Sequence, residues 1–269
     1  MTLNIGLGLV RQVVELARHA GEEIMKVYNT DFTVETKADD SPVTQADRIA
    51  ETLITETIKT EITAQFPIVG EEAFAAGEVP DVTGTPFWLV DALDGTKEFV
   101  KRGSEFTVNI ALIDIGKPML GVVHAPAITA TYWGSCNGTF AETDGAQPRR
   151  ITCRRRPGDG LVAIVSRSHR TPEVDEYLAQ FPIKKEISSG SSMKFCQVAA
   201  GRADIYPRMG RTMEWDTAAG HAVLIYAGGH VKDLNGNTLK YGKRGFENPS
   251  FVAMGTDSLA SSRLTSPHD

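Results

Sequence analysis

Near the start of the chain, apolar side chains return every three or four positions: Val10, Val13, Val14, Ala17, Ile24 and Val27. This spacing places them on one face of a helix and predicts a first helix ending near Asn29. A second series, Ile49, Leu53, Ile58, Ile62 and Phe66, predicts a helix after Pro42, capped by Thr44 and carrying Asp47 in its first turn. The pattern then changes to short apolar runs bounded by turn residues. It predicts strands at 67–70, 87–91, 106–113 and 119–125, the last two joined by Gly116-Lys117-Pro118, with further short strands to about Gly145. The polar stretch Asp144-Gly145-Ala146-Gln147-Pro148 is the expected boundary between an N-terminal α+β half, 1–147, and a C-terminal α/β half, 148–269. In the second half, strands are expected near Ile151, at 161–166, 183–187 and 203–206, and from His230 and Phe251. Helices are expected at 172–181, 193–200 and 217–227, and the tail from about 256 has too little apolar surface to order itself.

Composition removes several function classes. With 269 residues and 41% hydrophobic content the chain can bury a sizeable core. Its formal net charge of −6 gives no general attraction for nucleic acid or an anionic membrane. The arginines at 149, 150, 154, 155 and 156 read as a solvated strand pair rather than a ligand site. Three cysteines with no CxxC pair indicate neither a disulfide framework nor a thiolate zinc site. No apolar run is long enough to span a membrane and no leader pattern opens the chain, so the expected location is the cytoplasm.

The chemistry concentrates in Trp88-Leu89-Val90-Asp91-Ala92-Leu93-Asp94-Gly95-Thr96, where an apolar strand runs into two acids and a glycine turn. Asp91 and Asp94 can converge on one cation there, with the Leu93 carbonyl as a further oxygen. The Gly95 and Thr96 amides at the following helical turn suit a phosphate oxygen. Glu71, in Gly70-Glu71-Glu72, also ends a short apolar run and can reach the same sheet edge. Asp216, in Glu214-Trp215-Asp216-Thr217, stands where a helix N-cap belongs. Taken singly each acid has a structural explanation: a turn, a strand-end cap, a solvated loop, an N-cap. The six histidines lack HExxH or HxH spacing, so carboxylates and carbonyls point to magnesium or manganese rather than zinc. There is no G-x-S-x-G elbow, and neither Gly116-Lys117 nor Gly158-Asp159-Gly160 has the context of a P-loop or dinucleotide fingerprint.

Gly70-Glu71-Glu72, Asp91-Ala92-Leu93-Asp94-Gly95-Thr96 and Trp215-Asp216-Thr217-Ala218-Ala219-Gly220 resemble the three metal-site motifs of the inositol monophosphatase superfamily. Ser166-Arg167-Ser168-His169, Gly190-Ser191-Ser192-Met193-Lys194-Phe195-Cys196, Tyr206-Pro207-Arg208 and the segment 215–222 are similar to its bacterial CysQ branch, the 3′(2′),5′-bisphosphate nucleotidases. The resemblance implies a layered αβαβα sandwich of mixed α/β and α+β character, closing over the metals. It implies one metal on Glu71, Asp91 and the Leu93 carbonyl, another on Asp91, Asp94 and Asp216, and a third, looser magnesium through which Glu71 assists. Thr96 would pair with Asp47 to orient and help deprotonate the attacking water.

The substrate implied is adenosine 3′,5′-bisphosphate, a by-product of sulfate assimilation, hydrolysed with sensitivity to lithium. Gly95 and Thr96 would hold the reacting phosphoryl group, with Asp216 also facing the substrate. Gly190, Ser191 and Ser192 would line sugar and phosphate, while Lys194, Arg208 or His169 would pair with the phosphate that is not cleaved. An inositol phosphatase, a fructose bisphosphatase and a non-catalytic binding protein are the competing readings. Monomer or homodimer, and peripheral inner-membrane association, stay open. One departure stands out: the superfamily usually has proline where this chain has Ala92. Proline would fix φ at about −65° and stiffen the turn that aims the Leu93 carbonyl, so Ala92 is expected to loosen the metal-free loop without removing a ligand.

Overall fold

Helices form where the three-and-four spacing demands them. In the computed structural model, which describes residues 5–36 and 42–256, α1 (Leu7–Tyr28) buries Val10, Val13, Val14, Ala17, Ile24 and Val27. A short antiparallel pair, β1 (Val34–Thr36) with β2 (Pro42–Thr44), leads into α2 (Gln45–Thr57). Thr44 caps α2: its hydroxyl oxygen accepts the Ala46 N–H, while the Asp47 carboxylate accepts the Thr44 N–H. The buried face of α2 differs from the expected one. Ile49 is exposed, and Ala46, Asp47, Ala50, Glu51 and Ile54 are buried, because the helix turns two acids inward.

The chain then lays down β3 (Ile68–Gly70), α3 (Glu71–Ala75), β4 (Phe87–Asp94), α4 (Thr96–Val100), β5 (Thr107–Asp114) and β6 (Lys117–Ala125). β7 (Ala130–Ser135), β8 (Gly138–Thr143) and β9 (Arg149–Arg150) complete a seven-stranded sheet in sequence order, antiparallel except for the parallel pair β3 and β4. β9 replaces the strand expected near Ile151 and closes the first sheet just past the expected boundary.

The second sheet begins at β10 (Leu161–Ser166), followed by α5 (Pro172–Leu178), β11 (Ile183–Ser189), α6 (Met193–Ala199) and β12 (Ile205–Arg208). After the small β13 (Thr212–Met213) come α7 (Glu214–Tyr226), β14 (His230–Asp233), β15 (Glu247–Asn248) and β16 (Phe251–Met254). Five strands pair in the order β11-β10-β12-β16-β14, and β13 pairs with β15. The tail beyond Thr256, expected to be mobile, lies outside the described residues.

Alternation along the strands of the first sheet feeds two cores. Trp88, Val90, Ile110 and Leu112 pack with Val13, Ile24, Ala50 and Ile54 under α1 and α2. Leu89, Ala111 and Val123 point the other way, into a core shared with Phe195 of α6, Ala218, Ala219 and Val223 of α7, and Tyr206 and Phe251 of the second sheet. Val174 and Leu178 of α5 cover the far face of that sheet. The layers run αβαβα, as expected, and the middle helical layer carries α7, which packs across β5, β6 and β7 and brings its first turn to Asp91 of β4.

Candidate functional site

A cleft of about 1390 Å³ takes its lining from both halves of the chain. Its floor is acidic. β3 runs into Glu71 at the first position of α3, β4 ends in Asp91 and Asp94, and the first turn of α7 carries Asp216. Carboxylate oxygens of Glu71, Asp91 and Asp216 all lie within 4.8 Å of one another. Asp94 stands beside this trio, its Oδ2 accepting the Ser192 N–H at 2.7 Å and the Asn109 side-chain amide at 3.4 Å.

Local backbone features explain the convergence. Asp91 pairs with Asn109 but Asp94 pairs with Thr107, so β4 holds one residue more than β5 over this interval and bulges. The Leu93 N–H turns back to Asp91 Oδ1 at 3.1 Å. Gly95, at φ 95°, makes the left-handed turn into α4 that a residue with a Cβ adopts only with strain. Thr96 then places its hydroxyl 3.1 Å from both Asp47 Oδ1 and the Leu93 carbonyl. A hydroxyl has one proton and can serve one of these acceptors at a time. Asp47 is buried behind it, and its Oδ2 accepts the N–H and O–H of Thr44, each at 2.8 Å. Burial raises the Asp47 carboxyl above the usual range, against the pull of those bonds.

Asp216 departs from its expected place. It occupies the third position of α7 rather than the N-cap, because the helix starts at Glu214 with Met213 as its cap. Asp216 Oδ2 accepts the Met213 N–H at 2.8 Å, which fixes the side chain against the helix end. α3 is braced against the same helix by Phe74, whose ring centroid lies 5.0 Å from that of Trp215.

Burial raises the Asp94 carboxyl, opposed chiefly by the Lys194 charge. Burial, then the charges of Asp94 and Glu71, hold Asp216 well above the carboxylate range. Converging carboxylates in this state, with no histidine or cysteine in the trio, fit a hard divalent cation.

The opposite wall is cationic. Lys194 on α6 and Arg208 at the end of β12 are both buried. Lys194 donates to the Ser191 carbonyl and lies 5.4 Å from the Tyr206 ring centroid, and burial draws its pKa down to about 8. Arg208 Nη2 donates to the Arg211 carbonyl at 3.0 Å, while its Nε is buried without a partner among the described residues. Burial first, then the charges of Arg208, Lys97 and Lys194, hold His169 down to about 4, so its ring is neutral at pH 7. Ser191 sits at φ 43° with its hydroxyl buried and, among the described residues, unpartnered. Gly190 is fixed from the first half, its N–H donating to Glu105 Oε2 at 2.6 Å, and the same oxygen pairs with Arg167 at 3.0 Å.

Every expected site residue lines the cleft except Asp47, which stands behind Thr96, and Ser192. Ser192 was expected on the sugar and phosphate. It is buried instead, its hydroxyl 3.1 Å from Asp94 Oδ2, 2.8 Å from the Asp216 carbonyl and 2.9 Å from the Asn109 amide, so it ties the two acids together across the halves. The arginines at 149–156 stay out of the cleft, and Arg154 is paired with Asp204 at 2.6 Å. Three contributors escaped sequence reasoning: Glu51, Glu105 and Asn109. The available signal was the four-residue step from Asp47 to Glu51, which puts both acids on one helical face.

With the geometry in view, the comparisons with known proteins are informative. The profile of the inositol monophosphatase family matches residues 9–265. A curated protein of Salmonella typhimurium, the 3′(2′),5′-bisphosphate nucleotidase CysQ, is 47% identical over 246 residues, covering 90% of this chain and 98% of that protein. A protein of the same name from Haemophilus influenzae is 33% identical, covering 96% of each. The crystal structure of CysQ from Bacteroides thetaiotaomicron superposes with a TM-score of 0.79 at 34% identity, covering 95% of this chain and all of that one. Among the described residues, no helix is long and apolar enough to cross a membrane.

Proposed function

The chain belongs to the inositol monophosphatase family, and on that footing we propose that it is a 3′(2′),5′-bisphosphate nucleotidase, hydrolysing adenosine 3′,5′-bisphosphate to AMP and phosphate. One observation carries the reading beyond the relatives' names: a converging acidic trio and a buried Lys194–Arg208 pair face one cleft, a place for the reacting phosphoryl group and a place for a second phosphate. The three free cysteines are in keeping with a reducing cytoplasm.

The family is metal-dependent. We assign the metal as magnesium, two or three ions per site with manganese a workable substitute, held by Glu71, Asp91, the Leu93 carbonyl, Asp94 and Asp216. Magnesium bound there would supply positive charge for the phosphoryl oxygens and ease proton loss from the attacking water. The protein's own groups do the rest. The Thr96 oxygen faces the cleft and accepts the attacking water's proton as its own hydroxyl proton passes along the hydrogen bond to Asp47, whose carboxyl is raised by burial. Glu71 assists in orienting that water. The Gly95 and Thr96 amides hold the phosphoryl oxygens, with Asp216 alongside. Gly190, Ser191, His169, Lys194 and Arg208 hold the sugar and the phosphate that remains.

The test is phosphate release from adenosine 3′,5′-bisphosphate, inositol 1-phosphate and fructose 1,6-bisphosphate, with magnesium, without it, and with lithium added. Preference for the nucleotide, lost without magnesium and suppressed by lithium, is the expected result. Activity confined to the other substrates would move the function to another branch of the family.

A further inference from the structure

α2 carries two acids one helical turn apart, Asp47 and Glu51, and only the first belongs to the proposed chemistry. Glu51 is buried. Its Oε2 accepts the Glu72 N–H and its Oε1 the Ala73 N–H, both at 2.8 Å. These are the two backbone donors that follow Glu71 at the start of α3. The neighbouring backbone is shaped around the same carboxylate. Gly70 has an ordinary extended conformation (φ −104°), so its lack of a side chain is not a matter of backbone freedom. A Cβ there would stand 2.5 Å from the Glu51 carboxyl carbon. Gly70 is therefore the gap through which Glu51 reaches the turn.

The geometry points to Glu51 as a positioning residue for the metal centre: its carboxylate clamps the Gly70–Ala73 turn and so sets where Glu71 meets Asp91 and Asp216. Asp47 holds Thr96 of the Asp91–Thr96 loop from the same helix face. α2 thus acts as a rail, with one acid fixing each ligand-bearing loop and the helical rise between them fixing the spacing. This inference rests on the metal reading of the trio proposed above.

Manganese(II), titrated calorimetrically into the chelator-treated full chain, tests it with Glu51→Ala, Glu51→Asp and Glu51→Gln, alongside the melting temperature of each metal-free protein. Loss of an outer partner of a ligand typically weakens metal binding about 10–100-fold, and Glu51→Ala is expected in that range while still folded at the titration temperature. Glu51→Asp keeps the charge but is one methylene too short to reach both amides, so it should bind almost as weakly as Glu51→Ala. Glu51→Gln keeps the length and one accepting oxygen, so it should fall between them and the wild type. Wild-type affinity in Glu51→Asp would show that charge, not placement, matters, and would overturn the inference. Wild-type affinity in all three would overturn it too while leaving the metal site standing. Failure of the wild type to bind would remove the metal reading and this inference together.

Discussion

The acidic floor of the cleft and its cationic wall are made from different parts of the chain. Glu71, Asp91, Asp94 and Asp216 come from places where regular structure ends: a strand terminus, a bulge and the first turn of a helix. Lys194, in the first turn of α6, and Arg208, the last residue of β12, also stand at element ends, but both come from the second half of the chain and are buried by the layers around them. The floor is therefore set by short-range backbone features and stays anionic in the absence of a partner only at an electrostatic cost, visible in the raised carboxyls of Asp94 and Asp216. On the wall, burial has lowered Lys194 to about 8. Lys194 and Asp94 already offset part of each other's burial, and a ligand with two phosphates would meet both surfaces at once, so the proposed labour is divided: the floor for reaction, the wall for selection.

The largest effect should come from breaking the floor. Asp91→Asn removes a carboxylate from the centre of the trio, and kcat is expected to fall by about 10³-fold or more in magnesium, with folding retained by circular dichroism. The wall should respond differently. On the proposed role of Lys194, Lys194→Ala would remove a charge-assisted contact to the second phosphate worth about 1.5–3 kcal/mol, so kcat/KM for the nucleotide bisphosphate should fall about 10–100-fold. The same variant should change hydrolysis of inositol 1-phosphate little. Equal losses on both substrates would dissolve the distinction between floor and wall.

A pH series of melting curves sharpens it further. Asp94 and Asp216 have folded pKa values raised above the ordinary 3.8, so between that value and the raised one the folded chain binds more protons than the unfolded chain. Metal-free stability from these groups therefore falls as pH rises through the window, and a bound cation relieves the penalty. The rise in melting temperature on adding magnesium should be larger at pH 8 than at pH 5.5, since protons and cation compete for the same oxygens. A magnesium effect independent of pH would mean that the ion binds elsewhere. The smallest effect is expected from Ala92→Pro, which restricts the unfolded chain at the metal loop and should stabilise the metal-free protein by about 0.4–1 kcal/mol and tighten metal binding. No change in either quantity would show that Ala92 does not loosen the loop.

The same contrast governs what could be read from the sequence. Asp91, Asp94 and Gly95 declare themselves because a bulge and a left-handed turn are written in adjacent residues. The helices and most strands follow from spacing for a similar local reason. Spacing finds the helix that carries Asp216 but starts it too late, because the start of α7 is set by β13 pairing with distant β15 and by Asn248 donating to the Met213 carbonyl at 2.7 Å. Ile49 was placed inside and lies outside, because the buried face of α2 was chosen by Asp47 and Glu51 and not by its largest apolar residue. Ser192 and Glu105 act across the two halves, and contacts of that range leave no periodic trace. The motif resemblance found the wall residues, which spacing alone would have assigned to solvent.

The most direct test of the division between floor and wall is the product formed from adenosine 3′,5′-bisphosphate in magnesium, followed to completion. With one phosphate cleaved over the floor and the other needed by the wall, the account predicts one phosphate released per nucleotide, AMP left intact, and AMP itself a poor substrate. Release of both phosphates at comparable rates, leaving adenosine, would contradict it.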